Sequence, residues 1–274
     1  MYRLSSLRDV ELWASTGCRG QRTQLSDMFS ASLVFGSNKG ESGRVWRRAE
    51  EVSFRPGDIL LADAGEVQRA TTLPDRVTDF FTIYWKPEAL RRIAAELGFP
   101  GSPHWTLTEL AAGPVSAELA RLADLLESGA SAASIEQLHR SVTAALLHCA
   151  GQRSESATTR RGAHPRVRQA VERVRATLAD ALSLSDLAEE MNLSKYHFAR
   201  SFQRSFGVPP HRFRKLLRLH CARRLLERGS TVADAAHQTG FADAPHLSRT
   251  FCEWLGVTPA VWRSAWCLAE PWGD

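Results

Sequence analysis

The chain has 274 residues, 43% hydrophobic and 24% charged, enough for two domains of ordinary size. No run approaches the ~18 apolar residues of a membrane span, and the first residues carry no visible secretory signal. Five cysteines without CxxC spacing argue against a disulfide framework or a zinc site and for a reducing cytoplasm. The net charge of +5 is unevenly spread. Arg160–Trp266 holds 18 of the 35 Lys and Arg but 9 of the 30 Asp and Glu, a local net of +9 against −4 elsewhere. Such a concentration is the footprint of phosphate neutralisation. An Arg-rich base composition is the bland alternative, since Arg outnumbers Lys 31 to 4.

The first ninety residues read as short strands and turns, which predicts a small barrel or sandwich. Phe29–Phe35 is a strand followed by a Gly-Ser-Asn-Lys-Gly turn. Pro56-Gly57-Asp58 turns the chain into Ile59-Leu60-Leu61, and Val77–Trp85 is another apolar strand. The period then changes. Pro87 opens a helix to Leu97, stopped by Gly98. A second helix, Pro114–Glu127, carries Val115, Leu119, Leu122 and Leu126 on one face. A third, Ser134–Cys149, places Ile135, Leu138, Val142, Ala145 and Cys149 as a coiled-coil seam. That seam either joins two subunits or is buried against the chain's own barrel. Residues 151–162 are polar and small, a linker.

Beyond the linker the chain repeats itself at an offset of 49 residues. His197, Arg200, Phe202, Gly207, Val208, Pro210 and Arg214 recur as His246, Arg249, Phe251, Gly256, Val257, Pro259 and Arg263. Upstream the offset is 48, pairing Asp186 with Asp234 and Ala188 with Ala236. In the first copy Ser185 is a candidate N-cap, and Asn192 supplies a left-handed turn. Leu193 plugs the core and Ser194 caps a second helix ended by Gly207. Phe198, Phe202 and Phe206 line one face of that helix; Tyr196, Ala199, Arg200 and Gln203 line another. A short helix, a tight turn and a second helix with one apolar and one donor-rich face is the pattern of a major-groove reader. In the second copy the helices are Val232–Gln238 and Ala244–Leu255, with Gly240 at the turn and Phe241 in the role of Leu193. Pro210 starts a helix to Glu227 that joins the copies, with Phe213, Leu216, Leu217, Leu225 and Leu226 inward.

Residues 164–266 resemble the arabinose-regulator (AraC/XylS) family of bacterial transcription factors. The resemblance is carried by Gly240-Phe241, His246-Leu247-Ser248-Arg249-Thr250-Phe251, Gly256-Val257-Thr258-Pro259 and Trp262-Arg263. The front half more loosely resembles cupin-like sensor barrels through Pro56–Val67. The fold implied is α+β with two domains. Residues 1–150 form a cupin-like β-barrel with following helices, for sensing or dimerisation. Residues 163–266 form an all-α DNA-binding domain with helix-turn-helix motifs at about 184–206 and 232–255.

For DNA contact the residues point to Arg200 at a base edge, since bidentate Arg to guanine is the commonest specific contact. Tyr196 lies against the groove, with Lys195 and Gln203 on phosphate or the groove rim. Ser194 and Arg204 complete the first set, and Ser248 and Arg249 form the second. His197 and His246 read as packing residues. The second motif departs from the family pattern: Ala242-Asp243-Ala244-Pro245 opens its reader, Asp243 repels phosphate, and Cys252 and Glu253 stand where bases are expected. Base readout is therefore expected mainly from the first motif. Metal-binding cupins place a His where Gln68 stands here, and no His precedes His104, so neither metal nor cofactor is expected. No catalytic motif is visible, and the chain is read as no enzyme. The partners implied are double-stranded promoter DNA, RNA polymerase, a small-molecule effector and a second copy of the chain in a homodimer, with no membrane. The alternatives are a barrel that only dimerises, an enzyme fused to the reader, or a helical module that binds protein.

Overall fold

The computed structural model describes residues 2–7, 9–36, 40–47, 50–99, 102–154, 165–178, 183–255 and 257–267. They fall into two units, residues 1–21 with 26–159, and residues 160–274 with 22–25. In chain order the strands are β1 (Tyr2–Leu7), β2 (Val10–Cys18), β3 (Gln21–Leu25, all but its first residue in the second unit), β4 (Phe29–Phe35), β5 (Gly43–Arg47), β6 (Glu50–Phe54), β7 (Ile59–Ala62), β8 (Val67–Thr72) and β9 (Thr78–Trp85). Then come α1 (Pro87–Glu96), β10 (Ser102–Trp105), β11 (Glu109–Leu110), α2 (Pro114–Glu127), α3 (Ala132–Ala150) and β12 (Gly151–Ser154).

Strands β1-β2-β9-β4-β7-β11 form one antiparallel sheet in that order, and β8, β5 and β6 lie side by side in another. The large sheet is covered on both faces. On one, Leu12, Leu33, Leu61, Phe81, Ile83 and Trp85 pack with residues of α1, α2 and α3. On the other, Val34, Leu60 and Phe80 meet Val45, Val52 and Phe54 of the second sheet. A strand buried on both faces has no reason to alternate, so β7 reads as a continuous apolar run.

The third helix packs inward, but along a different line from the expected seam. Ile135, His139, Val142, Leu146 and Ala150 are buried, whereas Leu138 and Ala145 are half-buried and Cys149 is exposed. The face belongs to this chain's own β domain, so the seam as drawn is corrected. His139 sits in that core, where its Nε2 accepts from Trp85 Nε1 at 2.9 Å. Gly151–Ser154, expected as linker, form β12 and pair antiparallel with β10. The remainder of the expected linker lies outside the described residues.

The second unit is helical: α4 (Pro165–Ala176), α5 (Leu184–Glu190), α6 (Lys195–Phe206), α7 (Pro210–Glu227), α8 (Val232–Gln238), α9 (Ala244–Leu255) and α10 (Pro259–Cys267). Phe202, on α6, packs edge-on against Phe213 of α7 at 5.3 Å between ring centroids. Forty-nine residues later Phe251, on α9, packs edge-on against Trp262 of α10 at 5.9 Å. The sequence repeat is thus a repeat of packing.

Candidate nucleic-acid interface

Each helix-turn-helix is built by the same local chemistry. Ser183 caps α5 by accepting from Asp186 N, and Thr231 caps α8 by accepting from Asp234 N. The carboxylate of Asp186 in turn accepts from Ser183 N at 2.9 Å. Those bonds hold the Asp186 carboxyl below its usual pKa. Ser185, the expected cap, lies inside the helix, because the chain becomes helical at Leu184.

In the turns, Asn192 has φ 50° and Gly240 φ 75°. This left-handed conformation suits Gly at no cost and Asn at little. The turn bonds are equivalent: Asn192 N to Glu189 O and Leu193 N to Ala188 O in one, Gly240 N to His237 O and Phe241 N to Ala236 O in the other. Leu193 is only half-buried, while Phe241 is buried. Both reading helices are then capped, α6 by Ser194 accepting from His197 N at 3.3 Å and α9 by Asp243 accepting from His246 N at 2.6 Å. Asp243 occupies the register of Ser194, so the extra residue of the second copy is Ala242. Asp243, expected only as a charge that repels phosphate, thus has a capping role as well. The signal was present, because Asp is among the best N-caps.

On α6, Phe198, Phe202 and Phe206 are buried and Gly207 ends the helix with φ 76°. Ser194, Lys195, Tyr196, Arg200, Gln203 and Arg204 are exposed, Tyr196 at 69%. All six first-motif residues therefore lie on the solvent side of one helix. On α9, Leu247, Thr250, Phe251 and Trp254 are buried, Arg249 is exposed and Ser248 half-buried. Arg249 takes the register of Arg200, and Cys252 and Glu253, both exposed, take those of Gln203 and Arg204. Lys215 of α7 stands 3.9 Å from Glu253 and offsets part of its charge. Gly256, the expected end of α9, lies outside the described residues.

The two recurring histidines are not equivalent packing residues. His197 is exposed and meets only the Tyr196 ring, edge-on at 6.1 Å, among the ring contacts described. His246 is half-buried and packs edge-on against Phe241 at 5.2 Å. The expectation of packing fails at His197, because the turn presents Leu193 rather than an aromatic ring.

In the first unit, the face of the large sheet turned toward the second sheet is polar along part of its length. Ser30, Ser32 and Thr82 are buried there, with Thr82 Oγ1 donating to Ser32 Oγ at 2.9 Å. Gln68 is buried too. Arg47 is fully buried, ion-paired with Glu66, 3.5 Å from Asp63, and donates to Leu61 O and Leu107 O. No sequence signal marked Arg47 as internal, since its partners come from two distant segments, residues 61–66 and 105–107. Among the described residues no cluster of three or more His, Cys, Asp or Glu is placed to hold a metal ion. Among the described residues, too, no helix is long and apolar enough to cross a membrane.

Two capped helix-turn-helix units, each with a buried stripe and an exposed basic strip, define a DNA-binding transcription regulator. Residues 187–265 match the family described as "Helix-turn-helix domain". The HTH-type transcriptional regulator YbfI of Bacillus subtilis is 28% identical over 203 residues, 72% of each chain. GbdR, an HTH-type transcriptional regulator of Pseudomonas aeruginosa, is 32% identical over 108 residues, 39% of this chain and 29% of that one. The fold of ToxT from Vibrio cholerae, in crystals with (E)-4-(8-methylnaphthalen-1-yl)but-3-enoic acid, matches 94% of this chain and 100% of that one, with TM-score 0.60 and 10% identity. A second ToxT structure, with unsaturated fatty acid bound, covers 96% and 97% with TM-score 0.56 and 12% identity. The chain shares the two-domain fold of ToxT, a β-rich domain followed by a double helix-turn-helix, and residues 187–265 of it carry the match to the helix-turn-helix family.

Proposed function

We propose that the chain reads promoter DNA through the exposed strips of α6 and α9, under control of a small-molecule effector taken up by its β domain. The observation that carries the reading is the register of Arg200 and Arg249, exposed at equivalent points on two equivalently capped helices. In α6 the strip holds Lys195, Tyr196, Arg200, Gln203 and Arg204 with Ser194 at its start. In α9 only Ser248 and Arg249 remain as donors beside Cys252 and Glu253. Base readout therefore falls mainly to α6, and α9 serves mostly to hold the backbone. Residues 1–150 are the sensing and dimerising part, and residues 163–266 the DNA-binding part.

The buried polar face formed by Ser30, Ser32 and Thr82 supports an effector site in the β domain, as do the small molecules bound to ToxT. Arg47 is already compensated by Glu66 and Asp63, so it is not the group that would receive an acidic effector. The chain acts in the cytoplasm as a homodimer with RNA polymerase as its downstream partner, and neither catalysis nor a cofactor is assigned to it.

The test is selection from random duplexes on the full-length protein, with affinities read at several salt concentrations. One enriched sequence, bound far above bulk DNA and weakening log-linearly with salt, is the expected result. Binding without enrichment, or without salt dependence, would overturn the reading in favour of a protein-binding module.

A further inference from the structure

The helix between the two motifs carries one side chain that touches both. Arg218 lies in the middle of α7; its Nε donates to Leu178 O at 2.9 Å and its Nη1 to Gly240 O at 2.6 Å. Leu178 follows α4, which packs against α6, and precedes α5. Gly240 is the left-handed turn between α8 and α9. One guanidinium therefore reaches 40 residues back to the entrance of the first helix-turn-helix and 22 forward to the turn of the second.

Apolar packing alone fixes such an arrangement poorly. Phe213 against Phe202 and Phe206 holds α7 to the first reader, by a hydrophobic driving force that is itself non-directional. Hydrogen bonds from a guanidinium are directional, because its donors sit in a rigid planar fork, and its charge strengthens each of them. Both acceptors are backbone carbonyls next to helix ends, one just past the end of α4, which packs on α6, and one just before α9, so the two bonds tie α7 to both.

We propose that Arg218 is a positioning residue that locks α6 and α9 in one mutual register, so that the protein measures the spacing of two half-sites as well as reading them. The proposal rests on the DNA-reading function above. Half-sites read by one rigid body lie about one helical turn apart, and each inserted base pair rotates one of them by about a tenth of a turn.

The experiment uses the full-length chain, its Arg218→Ala and Arg218→Lys variants, and the duplex enriched by the parent with and without one base pair inserted between its half-sites. For the parent, the insertion is expected to weaken binding by about tenfold. For both variants the same insertion is expected to cost less than about threefold, because Lys keeps the charge but lacks the fork. The ratio between duplexes is read, which a general loss of affinity does not move. Variants that keep the parental ratio, or a Lys variant that keeps it alone, would overturn the proposal. So would a parent indifferent to the insertion, or variants without cooperative thermal unfolding, which would make Arg218 a plain core residue. If the parent enriches no duplex, the DNA-reading function fails first, which is a different result.

Discussion

His139 and Glu109 are titrating side chains whose surroundings push them in opposite directions. Burial, and then the neighbouring Arg140 charge, lowers the His139 pKa to about 4, in keeping with a neutral ring that accepts from Trp85. Burial, and then Asp58, raises Glu109 to about 7. The unfolded chain takes up the His139 proton near 6.5, so the stability this residue contributes is present above 6.5 and lost as pH falls toward 4. The full swing is up to about 3 kcal/mol. Glu109 acts the other way: its folded state holds the proton more tightly, so its contribution is present below about 4.5 and lost as pH rises through 7. In urea unfolding of the full chain between pH 4.5 and 8, His139→Gln is expected to flatten the acid loss. Glu109→Gln is expected to remove the decline toward pH 8. A His139→Gln slope equal to the parent's would show that another group titrates there.

At the scale of the element, capping decides what the second reading helix tolerates. Asp243 spends its side chain on His246 N, so its negative charge at the mouth of α9 is tied to a stabilising role. Asp243→Ser restores the residue of the first copy. It should leave thermal unfolding within about 1 kcal/mol of the parent while raising DNA affinity up to about fivefold at low salt. Asp243→Ala should raise affinity alike but lose about 1 kcal/mol of stability with the cap. Equal affinity in all three proteins would place Asp243 away from phosphate. Several helices are legible in sequence from such local signals, since α1, α2 and α7 begin at Pro87, Pro114 and Pro210 and α6 ends at Gly207. The start of α5 lies two residues before the expected one because Ser183 and Ser185 both qualify as caps, and only the bond to Asp186 N separates them.

For the whole molecule, two readers of unequal chemistry share one body. Arg200→Ala is expected to cost about 1–3 kcal/mol at one base pair of the selected duplex and to relax preference there. Arg249→Ala should weaken all duplexes alike and lower the log–log salt slope by about 1. Equal relaxation of base preference by both would end the division of labour between α6 and α9.

The duplicated motif, its turns and its exposed strips were determined by sequence, because each rests on bonds within about five residues and on a helical period. The β domain was legible only as strands. The order β1-β2-β9-β4-β7-β11, the burial of β7 and β9 on both faces and the inward face of α3 were decided by contacts between distant segments. Arg47 and Arg218 belong to that second class. Nothing near either in sequence distinguishes it from a solvated arginine, and only the folded chain brings the carbonyls that each one holds.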